Sequence, residues 1–155
     1  MARCPRHARQ TAPAAGPPTN AAPEEETMRL RFDDLNESIR LRGLSVDSMV
    51  CGDMVFAHLQ RRVAHPIPHL AQGLPDDVCR AEHWGYVLRG SVIFEQLDGS
   101  TERVVAGEAF YCPPGHVYTY DEDAELFEYS PLAQMIPNAK NMERVLAEFD
   151  DSGDG

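Results

Sequence analysis

The chain has 155 residues and a mass of 17.3 kDa, room for one domain with a real hydrophobic core and short for two. Apolar residues make up 43% of it but fall in short runs, none near the length of a bilayer span, which argues against a membrane partner. The formal net charge of −11, from 25 acidic against 14 basic side chains, would repel phosphate backbones and anionic surfaces, so nucleic acid is not expected as a partner either.

Residues 1–27 are rich in Ala and Pro, basic at first and acidic at their end, and are expected to form a disordered extension. Prolines 5, 13, 17 and 18 break any amphipathic helix of the transit-peptide kind, and no apolar run of a secretory signal is present. Cys4, Cys51, Cys79 and Cys112 are widely separated, with neither a CxxC pair nor a dense disulfide framework. That usage points to a reducing, cytoplasmic setting. Cys51 and Cys112 read as buried thiols, since no neighbour in the sequence would stabilise a thiolate there.

A single domain is expected over 28–150, followed by an acidic tail at 151–155. From Met28 onward short strand-like segments alternate with Gly, Asp and Pro signals, the spacing of an all-β barrel or sandwich. The predicted strands run Met28 to Phe32, Ser45 to Val50, Met54 to Val63, His83 to Leu88, Val92 to Leu97, Glu102 to Val105, Ala109 to Cys112, Val117 to Tyr120 and Leu126 to Tyr129. Asp98-Gly99, between two strand-like runs, supplies the positive φ angles of a tight hairpin turn. The stretch from His65 to Glu82, with Pro66, Pro68 and Pro75, is too proline-rich for a regular element and long enough to fold over a cavity as a lid. Ser130-Pro131 reads as a helix start, Pro137 as an interruption. Asn141 to Phe149, with Met142, Val145, Leu146 and Phe149 at helical spacing, reads as a short amphipathic C-terminal helix.

Two blocks carry a resemblance. Gly107 is followed by EAFYC, then Pro113-Pro114-Gly115, then Tyr118, while an earlier block runs His83-Trp84-Gly85-Tyr86-Val87-Leu88-Arg89-Gly90. Sixteen residues separate Gly90 from Gly107. The pair resembles the two motifs of the cupin superfamily, at the short spacing of small single-domain bacterial members of actinobacterial type, with degenerate metal motifs. The resemblance implies a double-stranded β-helix, or jelly-roll, barrel with one small-molecule site at its mouth. It also implies a divalent metal held by three imidazoles and a carboxylate that converge from alternating strand positions.

In that register His83 stands in the glutamate position, Cys79 and Asp77 stand in the two HxH positions, and Tyr118 stands in that of the last histidine. His116, two residues before Tyr118, would share its face. Two ligand sets follow. Cys79, His83 and His116 would suit zinc or copper, with an open position for water or substrate. Asp77, His83 and His116 would form a two-histidine, one-carboxylate face suited to iron. Zinc is favoured. Against both stands a metal-free barrel in which Cys79 is a small buried side chain and His116 only bonds a turn carbonyl.

Glu128 is a candidate general base and Tyr118 a candidate proton-moving group. Trp84 and Tyr86 alternate with His83 and Gly85 and should face away from the cavity. Gly85, facing inward, either leaves room for a ligand or permits a close backbone approach. His58, His65 and His69 suggest ordinary strand and loop positions rather than a second metal cluster. The expected function is a metal-dependent enzyme acting on a small organic substrate, of lyase, isomerase, cyclase or oxygenase type. The alternative is a non-catalytic small-molecule-binding or sensing barrel. The resemblance further implies a homodimer, formed through the outer sheet.

Overall fold

The computed structural model describes residues 29–151; the expected extension at 1–27 and the tail from 152 onward lie outside the described residues. Short strands with alternating apolar residues fold into two antiparallel sheets. In chain order the strands are β1 (Glu37–Leu41), β2 (Leu44–Cys51), β3 (Met54–Arg61), β4 (His83–Arg89), β5 (Ser91–Gln96), β6 (Thr101–Val105), β7 (Ala109–Cys112), β8 (His116–Thr119) and β9 (Ala124–Pro131). A C-terminal helix, α1 (Leu132–Asp151), follows. The larger sheet has the order β1-β2-β3-β9-β4-β7, the smaller β6-β5-β8. The jelly-roll expectation is met, since sequence-distant strands become neighbours and the two sheets enclose one core.

That core is built by the period of two. On β9, Ala124, Leu126, Glu128 and Ser130 are buried while Phe127 and Tyr129 lie on the opposite face. Leu126 shares one buried cluster with Val87, Val92, Phe94, Val104, Phe110 and Cys112, contributed by β4 to β7. The predicted hairpin joins β5 to β6, with the Gly99 amide closing on the Gln96 carbonyl at 2.9 Å; Gly99 alone takes a positive φ, +82°, contrary to the expectation that Asp98 would share it. Gly90 turns β4 into β5 at φ +68°, where an added Cβ would come within 2.0 Å of the Asp123 carbonyl oxygen. Only glycine fits there.

Several expectations need correction. The strand predicted to end at Phe32 is instead a 3-10 turn over Phe32–Asp34, and its start at Met28 lies outside the described residues. β1 was not predicted; its sequence ESIRL is polar because it is an edge strand paired only with β2. Ser130-Pro131 ends β9 rather than starting the helix. Pro131 pairs only with Met54, beyond the last β4 partner, so its missing N–H breaks no ladder bond to β4. The helix is not short: it runs 20 residues and carries Pro137 inside it. Cys51 is disulfide-bonded rather than a free thiol, whereas Cys112 is a free, buried thiol that burial pushes up to about 12.

The proline-rich stretch is irregular as expected, apart from a 3-10 turn at Pro75–Asp77. It lies against α1. Asn141 donates to the Leu70 carbonyl at 2.9 Å, Arg144 to the Gln72 carbonyl, and Gln134 accepts from the Glu82 amide at 2.7 Å. Among the described residues no helix is long and apolar enough to cross a membrane.

Candidate metal centre

Cys79 reaches the barrel through an isolated antiparallel bridge to His116. The Cys79 amide donates to the His116 carbonyl at 2.8 Å, and the Gly115 amide donates to the Cys79 carbonyl at 2.7 Å. His116 opens β8 straight after the Pro113-Pro114-Gly115 turn, and His83 opens β4 opposite Cys112 of β7. The turn and the two strand starts thus bring residues 79, 83 and 116 to one point. Their ligand atoms all lie within 4.8 Å of one another.

Each ring is oriented from behind. His116 Nδ1 lies 2.6 Å from the Pro113 carbonyl oxygen, which can only accept, so the proton sits on Nδ1 and Nε2 presents its lone pair. That Nε2 is buried and has no hydrogen-bond partner, in a residue with 0% exposure. His83 Nδ1 pairs with Ser130 Oγ at 2.7 Å, and Glu128 Oε1 stands 3.5 Å away on the same side. A carboxylate there favours the proton on Nδ1 and aims the Nε2 lone pair at Cys79 Sγ, 3.2 Å distant. Burial holds both imidazoles down at about 4, hence neutral and able to ligate.

A buried, unpartnered acceptor is costly unless something electrophilic meets it. One thiol sulfur and two imidazole nitrogens, with outer partners fixing both tautomers, match three protein ligands of a zinc or copper site that keeps an open position. The donor set therefore fits a divalent metal. Without one, burial pushes the Cys79 thiol up to about 11, which argues against a free thiolate nucleophile.

The other predicted residues fall in two groups. Glu128 is buried on the inner face of β9 and accepts from the Tyr118 hydroxyl at 2.8 Å. Burial first, against the Tyr118 hydrogen bond, raises its carboxyl to about 7. The Tyr118 hydroxyl is pushed well above its ordinary value by burial and the adjacent carboxylate. Its ring lies edge-on to His83 at 5.6 Å and stacks on His116 at 5.3 Å. Asp77 is not brought in: it is exposed, and its Oδ1 accepts from the Gly73 amide at 2.6 Å.

Gly85 faces inward as expected, but an added Cβ would come within 2.4 Å of the Phe110 ring and 2.6 Å of the Phe127 carbonyl oxygen. Close packing explains it, not room for a ligand. His58 pairs with Glu125 at 2.8 Å and stacks on Phe32, with no part in the cluster. Two contributors escaped the sequence reading. Ser130 follows Glu128 by two residues, so strand alternation alone would have found it. Asn138, whose Nδ2 donates to Cys79 Sγ at 3.1 Å, sits on α1 and has no sequence signal.

The two spaced blocks thus become β4 and the β7-turn-β8 unit of one jelly roll, and they meet at a single interior point. The chain folds as a jelly-roll barrel, the fold that the resemblance to cupins implies. Solved structures of similar shape include an RmlC-like cupin from Shewanella frigidimarina, 17% identical, covering 68% of this chain and 91% of that one, with a TM-score of 0.48. The polyketide cyclase RemF from Streptomyces resistomycificus is 22% identical, covering 68% and 80% of the two chains, with a TM-score of 0.48. Ectoine synthase from P. lautus is 7% identical, covering 68% and 78%, with a TM-score of 0.45. No protein-family model and no curated protein matches this chain.

Proposed function

We propose that this chain is a metal-dependent enzyme acting on a small organic molecule inside the barrel, with Cys79, His83 and His116 as the metal ligands and zinc as the favoured ion. The observation that carries the reading is the His116 Nε2, fully buried and without a hydrogen-bond partner, in a residue whose ligand atom lies within 4.8 Å of those of Cys79 and His83. A bound divalent ion would supply Lewis-acid polarisation of a carbonyl or carboxylate oxygen. Glu128 is placed to take a proton from a bound substrate or return it, being buried and raised to about 7. Tyr118 donates to Glu128 Oε2, which orients the carboxyl and leaves Oε1 on the His83 side. Lyase, isomerase or cyclase chemistry suits this set; Asp77 is engaged elsewhere, which weighs against the iron set that required it.

The test is metal analysis of the full chain purified without added metal, followed by reconstitution with zinc, copper and iron in turn. One ion per chain is expected in the wild type, with binding lost in His116→Ala and His83→Ala variants that keep the wild-type circular dichroism. A wild type that takes up none of the three ions overturns the enzyme reading in favour of a binding or sensing barrel. The proposal also includes self-association through the outer face of the larger sheet, where Trp84 lies between Tyr111 and Tyr129.

A further inference from the structure

One side chain outside the barrel is aimed at the centre. Asn138 projects from α1 with its Nδ2 3.1 Å from Cys79 Sγ. The same nitrogen lies 3.5 Å from the Gln134 carbonyl oxygen, which can only accept, so the amide orientation is set with its NH2 group toward the sulfur. Cys79 Sγ is therefore met by a side-chain N–H donor from outside the ligand set, which stabilises a sulfur anion more than a neutral thiol.

The same helix face holds the rest of the ligand-bearing segment. Gln134 bonds Glu82 twice, accepting at 2.7 Å and donating at 3.1 Å, and Asn141 donates to the Leu70 carbonyl at 2.9 Å. Residues 134, 138 and 141 are spaced by four and three, so they form one stripe on α1. That stripe lies along residues 70–82, from which Cys79 is presented. Strand alternation has no part in placing Cys79, because Asp76 and Asp77 just before it have φ of +59° and +55°.

Resting on the metal reading above, we propose that Asn138 is a positioning residue for the metal centre: its side-chain amide donates to the Cys79 thiolate when a metal is bound, and α1 thereby fixes the sulfur ligand in place. The Asn138 N–H lowers the energy of the sulfur lone pair, so it tunes the metal–sulfur bond as well as its position. Partners of this kind typically carry about 10–100-fold of metal affinity.

The experiment uses cobalt(II) as a spectroscopic probe on the full-length chain, with zinc affinity measured by chelator competition. The wild type is expected to develop a near-ultraviolet sulfur-to-cobalt charge-transfer band. Asn138→Leu, which has similar volume and no donor, is expected to shift that band to lower energy and to weaken zinc by about tenfold or more. Asn138→Ala serves if the leucine variant does not fold. Asn141→Leu is the control, because it loosens the same helix face without touching sulfur, and it should leave the band where it is. An unchanged band and affinity in both Asn138 variants overturns the inference, as does an equal shift in Asn141→Leu. A wild type that binds neither cobalt nor zinc sinks the metal reading itself, which separates the two failures.

Discussion

At the residue scale, the difference between Asp77 and its neighbours shows what spacing can reveal. His83 was readable by counting back from Gly90 along the spacing of the motif: β4 pairs regularly up to Val87, where a register slip would turn every side chain over, and the bulge between Val87 and Arg89 lies beyond that stretch. His116 and Glu128 were readable by alternation on β8 and β9 for the same reason. Asp77 was not, since alternation fails where the backbone turns left-handed at Asp76 and Asp77. Its carboxylate instead caps the Gly73 amide and supports the strained turn that leads to Cys79. Asp77→Asn keeps an accepting oxygen and the asparagine tolerance of this conformation, so zinc affinity by chelator competition should be unchanged. Asp77→Ala loses both and should lower stability by about 1–2 kcal/mol in a urea melt. A loss of metal in Asp77→Asn comparable to that in His83→Ala would return Asp77 to the ligand set.

At the element scale, strands were readable and the ends of the chain's regular structure were not. Core strands announce themselves by short apolar runs set off by turn signals, as in β3 and β5, whereas β1 has one neighbour and needs little apolar content. The helix was misread through its prolines. Pro131 suits the end of β9, and Pro137 removes one amide from the interior of α1 without stopping it, because the polar stripe bonded to residues 70–82 and buried Val145 hold the helix on both sides of it. Pro137 is exposed, so its replacement disturbs no core packing. Pro137→Ala restores a donor to the Ala133 carbonyl and should raise stability by up to about 3 kcal/mol, read as a higher midpoint in thermal unfolding. A lower midpoint would mean that the proline itself is needed to seat α1 on the segment that carries Cys79.

At the scale of the whole molecule, the outer face of the larger sheet carries exposed aromatic rings among the described residues, beyond the part where Phe32 packs on Phe127. Alternation from His83 already placed Trp84 and Tyr86 outside, but their joining with residues of distant strands depends on the order β3-β9-β4-β7, which no local pattern encodes. Phe56, Tyr129, Trp84 and Tyr111 follow one another across that face with ring separations of 5.9, 5.9 and 5.2 Å. Tyr86, Tyr111 and Tyr129 remain 43%, 51% and 37% exposed. A continuous aromatic surface of this kind is stabilised by removal from water, and a two-fold axis through it would let each copy cover the other's rings. Sedimentation equilibrium should therefore report a dimer of the 17.3 kDa chain. Two chains of net charge −11 repel one another, so added salt should tighten the association rather than weaken it. Joint Tyr111→Lys and Tyr129→Lys substitution should give a monomer that still binds metal, since neither side chain reaches the interior. A wild type that sediments as a monomer at every accessible concentration and salt would leave this face to a different partner, and salt-induced dissociation would mean that charge, not the aromatic rings, holds the copies together.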